Sequence, residues 1–156
     1  MSFQIQNKQF FLDLDKFKNQ IDVDISKMQR EIALLIVSRL VSHGRYVGAT
    51  PVGNPDLWKS PPKKGYSGGR AISNWRVDVG GKAGGTTDSV DFGASVQADV
   101  VSKLANLQPY QIVWISNNLP YIYRIMEEGH STQTPKGSIA LTIAEVKQII
   151  QAKYGA

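Results

Sequence analysis

The chain has 156 residues, of which 42% are hydrophobic, and a net charge of +5 at neutral pH, so it suits one folded domain rather than a disordered chain. It has no cysteine, which excludes a disulfide scaffold, thiolate metal sites and cysteine nucleophiles. No run of about 20 mainly apolar residues is present, so we expect no membrane span. The start of the sequence lacks a basic region followed by an apolar one, so we expect no secretory leader.

Apolar residues at steps of three and four predict one long amphipathic helix over about 15–43. Its apolar stripe consists of Phe17, Ile21, Ile25, Met28, Ile32, Leu35 and Leu40. The second half of this helix is apolar on nearly every face, so we expect it to pack against more than one element or against a neighbouring subunit. Residues 1–14, ahead of the helix, are a candidate extended arm.

Residues 44–74 are predicted to be one long basic loop, because four prolines and a Gly-Gly pair interrupt any regular element. This loop belongs to a segment, 39–82, that carries eight basic and two acidic residues, whereas the rest of the chain is nearly neutral. Basic residues interleaved with aromatic ones can bind nucleic acid or an acidic protein surface. A solvated, solubilising loop has the same composition, so both interpretations stay open.

The rest of the chain is predicted to contain several shorter elements. These are a strand at 75–79, a glycine-rich loop at 80–87, a helix at about 94–107, a strand at 111–116, one or two helical turns within 121–128, and a helix at about 138–153. The predicted fold class is α+β. A long N-terminal helix packs on a small, mainly antiparallel sheet, with two or three further helices and long Gly/Pro-rich loops, in a single domain covering 1–156.

No pattern in the chain is typical of a catalytic or metal-binding site. His43 and His130 lack the helical spacing of a zinc-binding pair. The glycine-rich loop 80–87 has a lysine but lacks the spacing of a phosphate-binding loop. Glu127 and Glu128 are adjacent on a predicted helical turn and therefore face different directions. We expect no enzymatic activity, no metal and no cofactor.

Three ordered motifs occur between about residues 20 and 150. The first is Ala49-Thr50-Pro51-Val52, the second is Gly69-Arg70-Ala71 with Asn74-Trp75, and the third runs from Ile115-Ser116-Asn117-Asn118-Leu119-Pro120-Tyr121 through Glu127/Glu128-Gly129-His130-Ser131 and Gln133 to Pro135-Lys136-Gly137. Together they resemble the tail completion (minor tail, neck) protein family of long-tailed bacteriophages and prophages. In many members the first two motifs lie close together, whereas here the insert Gly53–Gly68 separates them.

The resemblance implies a structural virion protein of the head–tail junction that is assembled in the host cytoplasm. Such proteins form a ring, often of six copies, that completes the tail and allows joining to the DNA-filled head. The implied partners are other copies of the chain, neighbouring proteins such as the terminator, the tail tube or the head-closure protein, and packaged DNA through non-specific contact. The alternatives are a tail terminator, a head-closure ring, or a sequence-independent DNA-binding module that uses 39–82. No membrane contact, catalysis or cofactor is implied.

Two sets of residues are candidate contacts. The candidates for an interface or for assembly are Trp58, Tyr66, Arg70, Trp75, Asn117, Asn118, Pro120 and Tyr121. Among them we expect Trp75 chiefly to anchor the loop–strand junction in the core, and Arg70 to bridge to a carboxylate or a carbonyl. The candidates for contact with a DNA channel or an acidic partner are Arg45, Lys59, Lys63, Lys64 and Lys82.

Overall fold

Five helices and two strands make up the described part of the chain. The computed structural model describes residues 8–53 and 68–155. In chain order the elements are α1 (Lys8–Leu40), α2 (Arg70–Ser73), β1 (Trp75–Val79), α3 (Ala94–Leu104), β2 (Val113–Asn117), α4 (Ile122–Met126) and α5 (Ser138–Tyr154). The predicted α+β class, with a long N-terminal helix, a small antiparallel sheet and further helices, is confirmed.

Helix α1 begins earlier than the sequence predicted. Residues 8–14, which were assigned to an extended arm, are helical, so that part of the prediction was wrong. The rest of the candidate arm, 1–7, lies outside the described residues. Residues 8–14 contain neither glycine nor proline, and Leu14 lies three residues before Phe17. Nothing in this segment interrupts a helix that is already formed, because extending a helix is far easier than starting one.

The C-terminal end of α1 is fixed by the residues that follow it. The helix ends at Leu40, three residues before the predicted boundary. The Ser42 hydroxyl donates to the Arg39 carbonyl oxygen at 2.7 Å, and the Thr50 amide donates to the Leu40 carbonyl oxygen at 2.9 Å. These two donors satisfy carbonyl groups that a helix leaves without a partner at its end.

The face of α1 that meets the core shares only Leu40 with the predicted apolar stripe. The buried positions are Ala33, Val37, Leu40 and the following Val41, each at most 3% exposed. Within the stripe, Phe17 and Ile21 are exposed, and the members from Ile25 to Leu35 are half-buried. The second half of α1 contacts α3, β2 and α5, which confirms the prediction that it packs against more than one element. Because this half is apolar all round, its neighbours rather than its periodicity decide which face is buried.

The sheet consists of β1 and β2, paired antiparallel. Trp75 lies opposite Asn117 at one end of the ladder and Val79 lies opposite Val113 at the other. Strand β1 has the predicted boundaries, and Val77 at its centre is fully buried. A two-stranded sheet needs cover to be stable, and α3 supplies it by packing on β1.

Strand β2 begins at Val113 rather than at the predicted 111. The Gln111 carbonyl oxygen accepts a hydrogen bond from the Gln29 side chain of α1 at 2.9 Å. The Gln29 side-chain oxygen in turn accepts from the Tyr110 amide at 3.1 Å. The backbone at 110–111 is therefore bound to α1 and not to β1.

Helix α2 is a single helical turn within the segment that was predicted to be loop. Gly69 precedes it with φ +88°, a left-handed conformation that glycine adopts without steric cost. An added Cβ there would approach the Phe92 ring to 2.9 Å. The turn therefore starts at the one residue type that fits both the backbone conformation and the space. Elsewhere in the predicted loop, residues 44–53 are irregular, as predicted, and residues 54–67 lie outside the described residues.

Helix α5 runs antiparallel along α1. The Lys153 ammonium lies 2.6 Å from a Glu31 carboxylate oxygen, and Arg39 Nε lies 3.3 Å from Glu145. Thr142 and Val146 are buried residues of α5. Among the helices of the described ranges, none is long and apolar enough to cross a bilayer.

Candidate assembly surfaces

The junction between the first two motifs is built around Trp75. Its side chain is 5% exposed, and its indole N–H donates to the Thr50 hydroxyl at 2.8 Å. Thr50 is itself fully buried. The expectation that Trp75 anchors the loop–strand junction in the core therefore agrees with its position, and this tryptophan is not a surface contact.

Hydrogen bonds join all three motifs. The Gly69 amide donates to the Val52 carbonyl oxygen at 2.7 Å, which connects the second motif to the first. The Gly53 amide, directly after the first motif, donates to the Gln133 side-chain oxygen of the third motif at 3.3 Å. The Asn117 side-chain amide donates to the Ala71 carbonyl oxygen at 2.9 Å, which connects the third motif to the second. Residues widely separated in sequence thus form one continuous network.

Arg70 bridges to both predicted kinds of acceptor, within the subunit. Its Nη2 lies 2.8 Å from Asp88 Oδ1, and its Nε donates to the Thr87 carbonyl oxygen at 3.4 Å. The Asp88 side chain is 89% exposed. Water screens such a pair strongly, so it positions the 87–88 segment more than it stabilises the fold.

The side-chain amide of Asn74 makes three hydrogen bonds. The sequence identified this residue only as part of the second motif. It is 1% exposed. Its Nδ2 donates to the carbonyl oxygens of Arg70 and Thr87, each at 2.8 Å, and its Oδ1 accepts from the Thr87 amide at 2.8 Å. Asn74 therefore ties α2 to the segment that precedes α3. An asparagine directly before a buried strand tryptophan was the available signal.

Asn117 and Asn118 have structural hydrogen bonds at the end of β2. Asn117 Oδ1 accepts from the Leu119 amide at 3.2 Å, which forms a local turn. Asn118 Nδ2 donates to the carbonyl oxygens of Ala83 and Gly85 at 2.9 and 3.0 Å. Asn118 thus holds the glycine-rich loop 80–87 against the end of the sheet.

Replacing Asn118 with alanine should release this loop. We expect the free energy of unfolding to fall by about 1–2 kcal/mol, because the two hydrogen bonds that Asn118 donates are lost. Amide hydrogen exchange should speed up across 80–87 more than elsewhere. The matched control is Asn106→Ala, an exposed asparagine in the turn after α3, which should change neither quantity. Equal exchange rates in wild-type protein and the Asn118 variant would contradict this role.

The other assembly candidates lie in different surroundings. Pro120 is exposed at the turn after β2, whereas Tyr121 is half-buried and packs against the core. Trp58 and Tyr66 lie outside the described residues. Of this set, Pro120 is therefore the described residue that is most accessible to a partner.

The basic segment contributes fewer accessible charges than its composition suggests. Arg39 is buried, paired with Glu145, and its guanidinium lies 4.7 Å from the centre of the Tyr46 ring. Arg70 is paired with Asp88. The candidate DNA contacts Arg45 and Lys82 are exposed. The remaining candidates, which lie outside the described residues, are Lys59, Lys63 and Lys64.

Asp91 was not among the predicted residues, yet it organises the start of α3. Its carboxylate accepts hydrogen bonds from the Gly93 amide at 3.0 Å, the Ser95 amide at 3.2 Å and the Ser73 hydroxyl at 3.0 Å. Partial burial alone would raise the pKa of Asp91, but the hydrogen bonds from Ser95, Gly93 and Ser73 outweigh it and hold the pKa below its usual value. The charged carboxylate therefore stabilises the folded state.

The contribution of Asp91 to the free energy of unfolding should vary with pH in the acidic range. Its folded-state pKa is lowered, so its contribution is present above the unfolded pKa of about 3.9 and is lost as pH falls through the lower folded value. Asp91→Asn should cost about 1 kcal/mol at pH 7, because hydrogen bonds to a charged acceptor are stronger than those to a neutral one, and should flatten the decline in stability below about pH 4. Urea unfolding from pH 7 to pH 2 measures this. Asp15→Asn, at an exposed position of α1, should leave the curve unchanged. Parallel curves for wild-type and Asp91 variants would contradict the assignment.

The histidines and acidic residues form local contacts. His43 Nε2 lies 2.6 Å from the Phe92 carbonyl oxygen, and His130 Nε2 lies 3.4 Å from a Glu128 carboxylate oxygen. Across residues 8–53 and 68–155, no group of three or more histidine, aspartate or glutamate side chains is arranged to hold a metal ion.

The N-terminal part of α1 exposes an apolar surface. We call residues 12–24 the α1 arm. Every residue from Leu12 to Ile21 is exposed. Leu14, Phe17 and Ile21 follow steps of three and four and so share one face, at 50%, 64% and 38% exposure. Val23, 58% exposed, lies on the opposite side. Extending the predicted stripe backward by one step to Leu14 would have found this face from the sequence.

No protein-family model matches the chain, and no curated protein or solved structure matches it. The motifs and the geometry described above are therefore the basis for what we propose about its function.

Proposed function

We propose that the chain is a structural virion protein of the head–tail junction of a long-tailed bacteriophage or prophage. Several copies form a ring that completes the tail and permits joining to the DNA-filled head. The ring contacts neighbouring neck and tail proteins. The proposal rests on the resemblance of three ordered motifs to the tail completion family.

The observation that supports this proposal best is the network that joins these motifs. Gly69 connects the second motif to the first and Asn117 connects the third to the second, each through a hydrogen bond. Gln133 of the third motif accepts a hydrogen bond from Gly53, the residue directly after the first motif. Trp75 and Thr50 form the buried centre of the network. Residues that maintain the fold of a structural protein are expected to contact one another, as these do, rather than to bind a substrate.

The exposed α1 arm is a second supporting observation. A monomeric protein rarely places several large apolar side chains on one exposed face, and such faces are typical of contact surfaces. Subunits of a ring need a contact of this kind, because a surface of one copy must fit a different surface of the next.

A DNA-binding module is the less favoured alternative. Sequence-independent binding needs several cations that are free to contact phosphates. In the described part of 39–82, Arg39 and Arg70 are engaged with carboxylates. Arg45 and Lys82 remain exposed, which suits contact with passing DNA better than tight binding by the isolated chain.

Electron microscopy of lysates tests the proposal directly. A phage or prophage with this reading frame deleted should yield filled heads beside separate tails, or tails of abnormal length or finish. Abnormal tail length would indicate a terminator, and normal tails with unjoined heads would indicate a head-closure or completion role. The control is the same deletion with the reading frame supplied from a plasmid. Normal infectious particles from the deletion would overturn the proposal.

A further inference from the structure

The α1 arm has a counterpart on the body of the same chain. A groove between α1 and α3, which we call the α1–α3 groove, has a volume of about 530 Å³. Its apolar floor includes Leu34 and Val37 of α1 and Val100 and Val101 of α3. Leu34 and Val101 are 39% and 62% exposed, so the floor is open to solvent. We propose that the α1 arm of one copy binds in the α1–α3 groove of a second copy.

The arm and the groove agree in size. The arm has 13 residues and is therefore about 20 Å long. The groove follows α1 from Lys27 to Ser38, which is about 18 Å at the same rise per residue. The face formed by Leu14, Phe17 and Ile21 extends over about 10 Å of the helix axis and therefore fits within the length of the floor.

The charges of the two surfaces are complementary. The arm carries four aspartates against two lysines. At one end of the groove lie the cations Lys27 and Arg30. The third charged residue there, Glu31, already accepts hydrogen bonds from Lys153 and Tyr154, which lower its pKa. An acidic arm thus meets a groove that has an excess of cations at one end, which favours encounter between the two surfaces.

The arm cannot occupy the groove of its own chain. Arm and groove wall are parts of one continuous helix, α1, and Phe17 lies about 22 Å from the level of Ile32 along the helix axis. Folding back would require the helix to break. The occupant is therefore a second copy.

The contact joins two different surfaces, so repetition makes a ring or a filament and not a closed dimer. A helix of about 20 Å half sunk in a groove buries roughly 800 Å² over both partners, less than the roughly 1,200 Å² of a stable pair. In a closed ring the arm of each copy binds the groove of one neighbour, and its groove binds the arm of the other neighbour. Each copy therefore makes two contacts. We therefore expect monomer and ring to be the populated species. This inference deepens the proposed function and rests on its ring assembly.

Engineered cysteines test the contact without background, because the chain has none of its own. The full-length Phe17→Cys and Val101→Cys variants are mixed and oxidised with a mild oxidant. We expect a disulfide-linked heterodimer from the mixture, and a ladder of larger species from a chain that carries both substitutions. Disulfides between two Phe17→Cys chains alone would indicate that arms pair with arms, and would overturn the proposal. Absence of any cross-link would also overturn it.

A matched pair of substitutions separates this contact from a general effect on the arm. Phe17→Asp should raise the concentration of half-assembly about tenfold or more in sedimentation velocity. Val23→Asp, on the opposite side of the same helix, should change it less than about twofold. Equal behaviour of both variants would contradict the proposed face. If the deletion phage forms normal particles while the cross-link persists, the virion proposal alone fails. If the deletion blocks joining and the cross-link is absent, the arm contact alone fails.

Discussion

Trp75→Ala is expected to lower the free energy of unfolding by about 3–5 kcal/mol, a large part of the stability of a domain of this size. The substitution removes a nearly fully buried indole at the first rung of the sheet. It leaves a cavity between β1 and the residues after α1, and it leaves the Thr50 hydroxyl without its indole donor. Chemical denaturation followed by far-ultraviolet circular dichroism measures the loss.

The contribution of the hydrogen bond can be separated from that of the ring. Thr50→Val keeps the shape of the side chain but removes the acceptor, and should cost about 1–3 kcal/mol, because the buried indole N–H then has no partner. Thr50→Ser keeps the hydroxyl and should cost less. If Thr50→Val were as stable as wild type, Trp75 would act through packing alone.

Gly48→Ala should destabilise the protein by about 3 kcal/mol. An added Cβ would collide with Thr142 Oγ1 and would lie 2.6 Å from the Ser138 carbonyl oxygen, and both belong to α5. The backbone of α5 cannot move away without disturbing its contact with α1. We therefore expect α5 to separate locally, with faster amide exchange in 138–146 and a lower melting temperature.

Gly84→Ala is the matched control for this effect. Gly84 has no heavy atom within 4 Å of the position that a Cβ would take, and its φ is not left-handed. Its replacement should change stability by less than about 0.5 kcal/mol. If both alanine variants melted at the same temperature, the close approach at Gly48 would not determine the position of α5.

Helices and strands could be predicted from the sequence where the spacing of apolar residues indicates one type of element. Strand β1 alternates apolar and polar residues, and its boundaries were predicted correctly. The residues of α3 and α5 step by three and four, and their predicted starts agree with the structure to within one residue. Helix α2 was missed because a single turn of four residues has no periodicity to detect.

The buried face of α1 could not be predicted, because it depends on tertiary contacts. Its apolar residues surround the helix, so the small side chain of Ala33 and the neighbours α3 and α5 determine which face is covered. In the candidate site, Arg70 and Trp75 were assigned the roles that their contacts support. Asp91 was missed because its three donors come from two separate segments of the chain.

The exposed α1 arm connects the folding of this helix with the concentration of the protein. Every residue of the α1 arm from Leu12 to Ile21 is exposed, and a helical segment that buries little surface opens readily. In the proposed assembly, the arm should therefore fray in a dilute monomer and become ordered when another copy binds it. Helical content then becomes a measure of assembly. A newly made chain at low concentration would keep its core folded and its contact helix partly unformed, which delays polymerisation until enough copies are present.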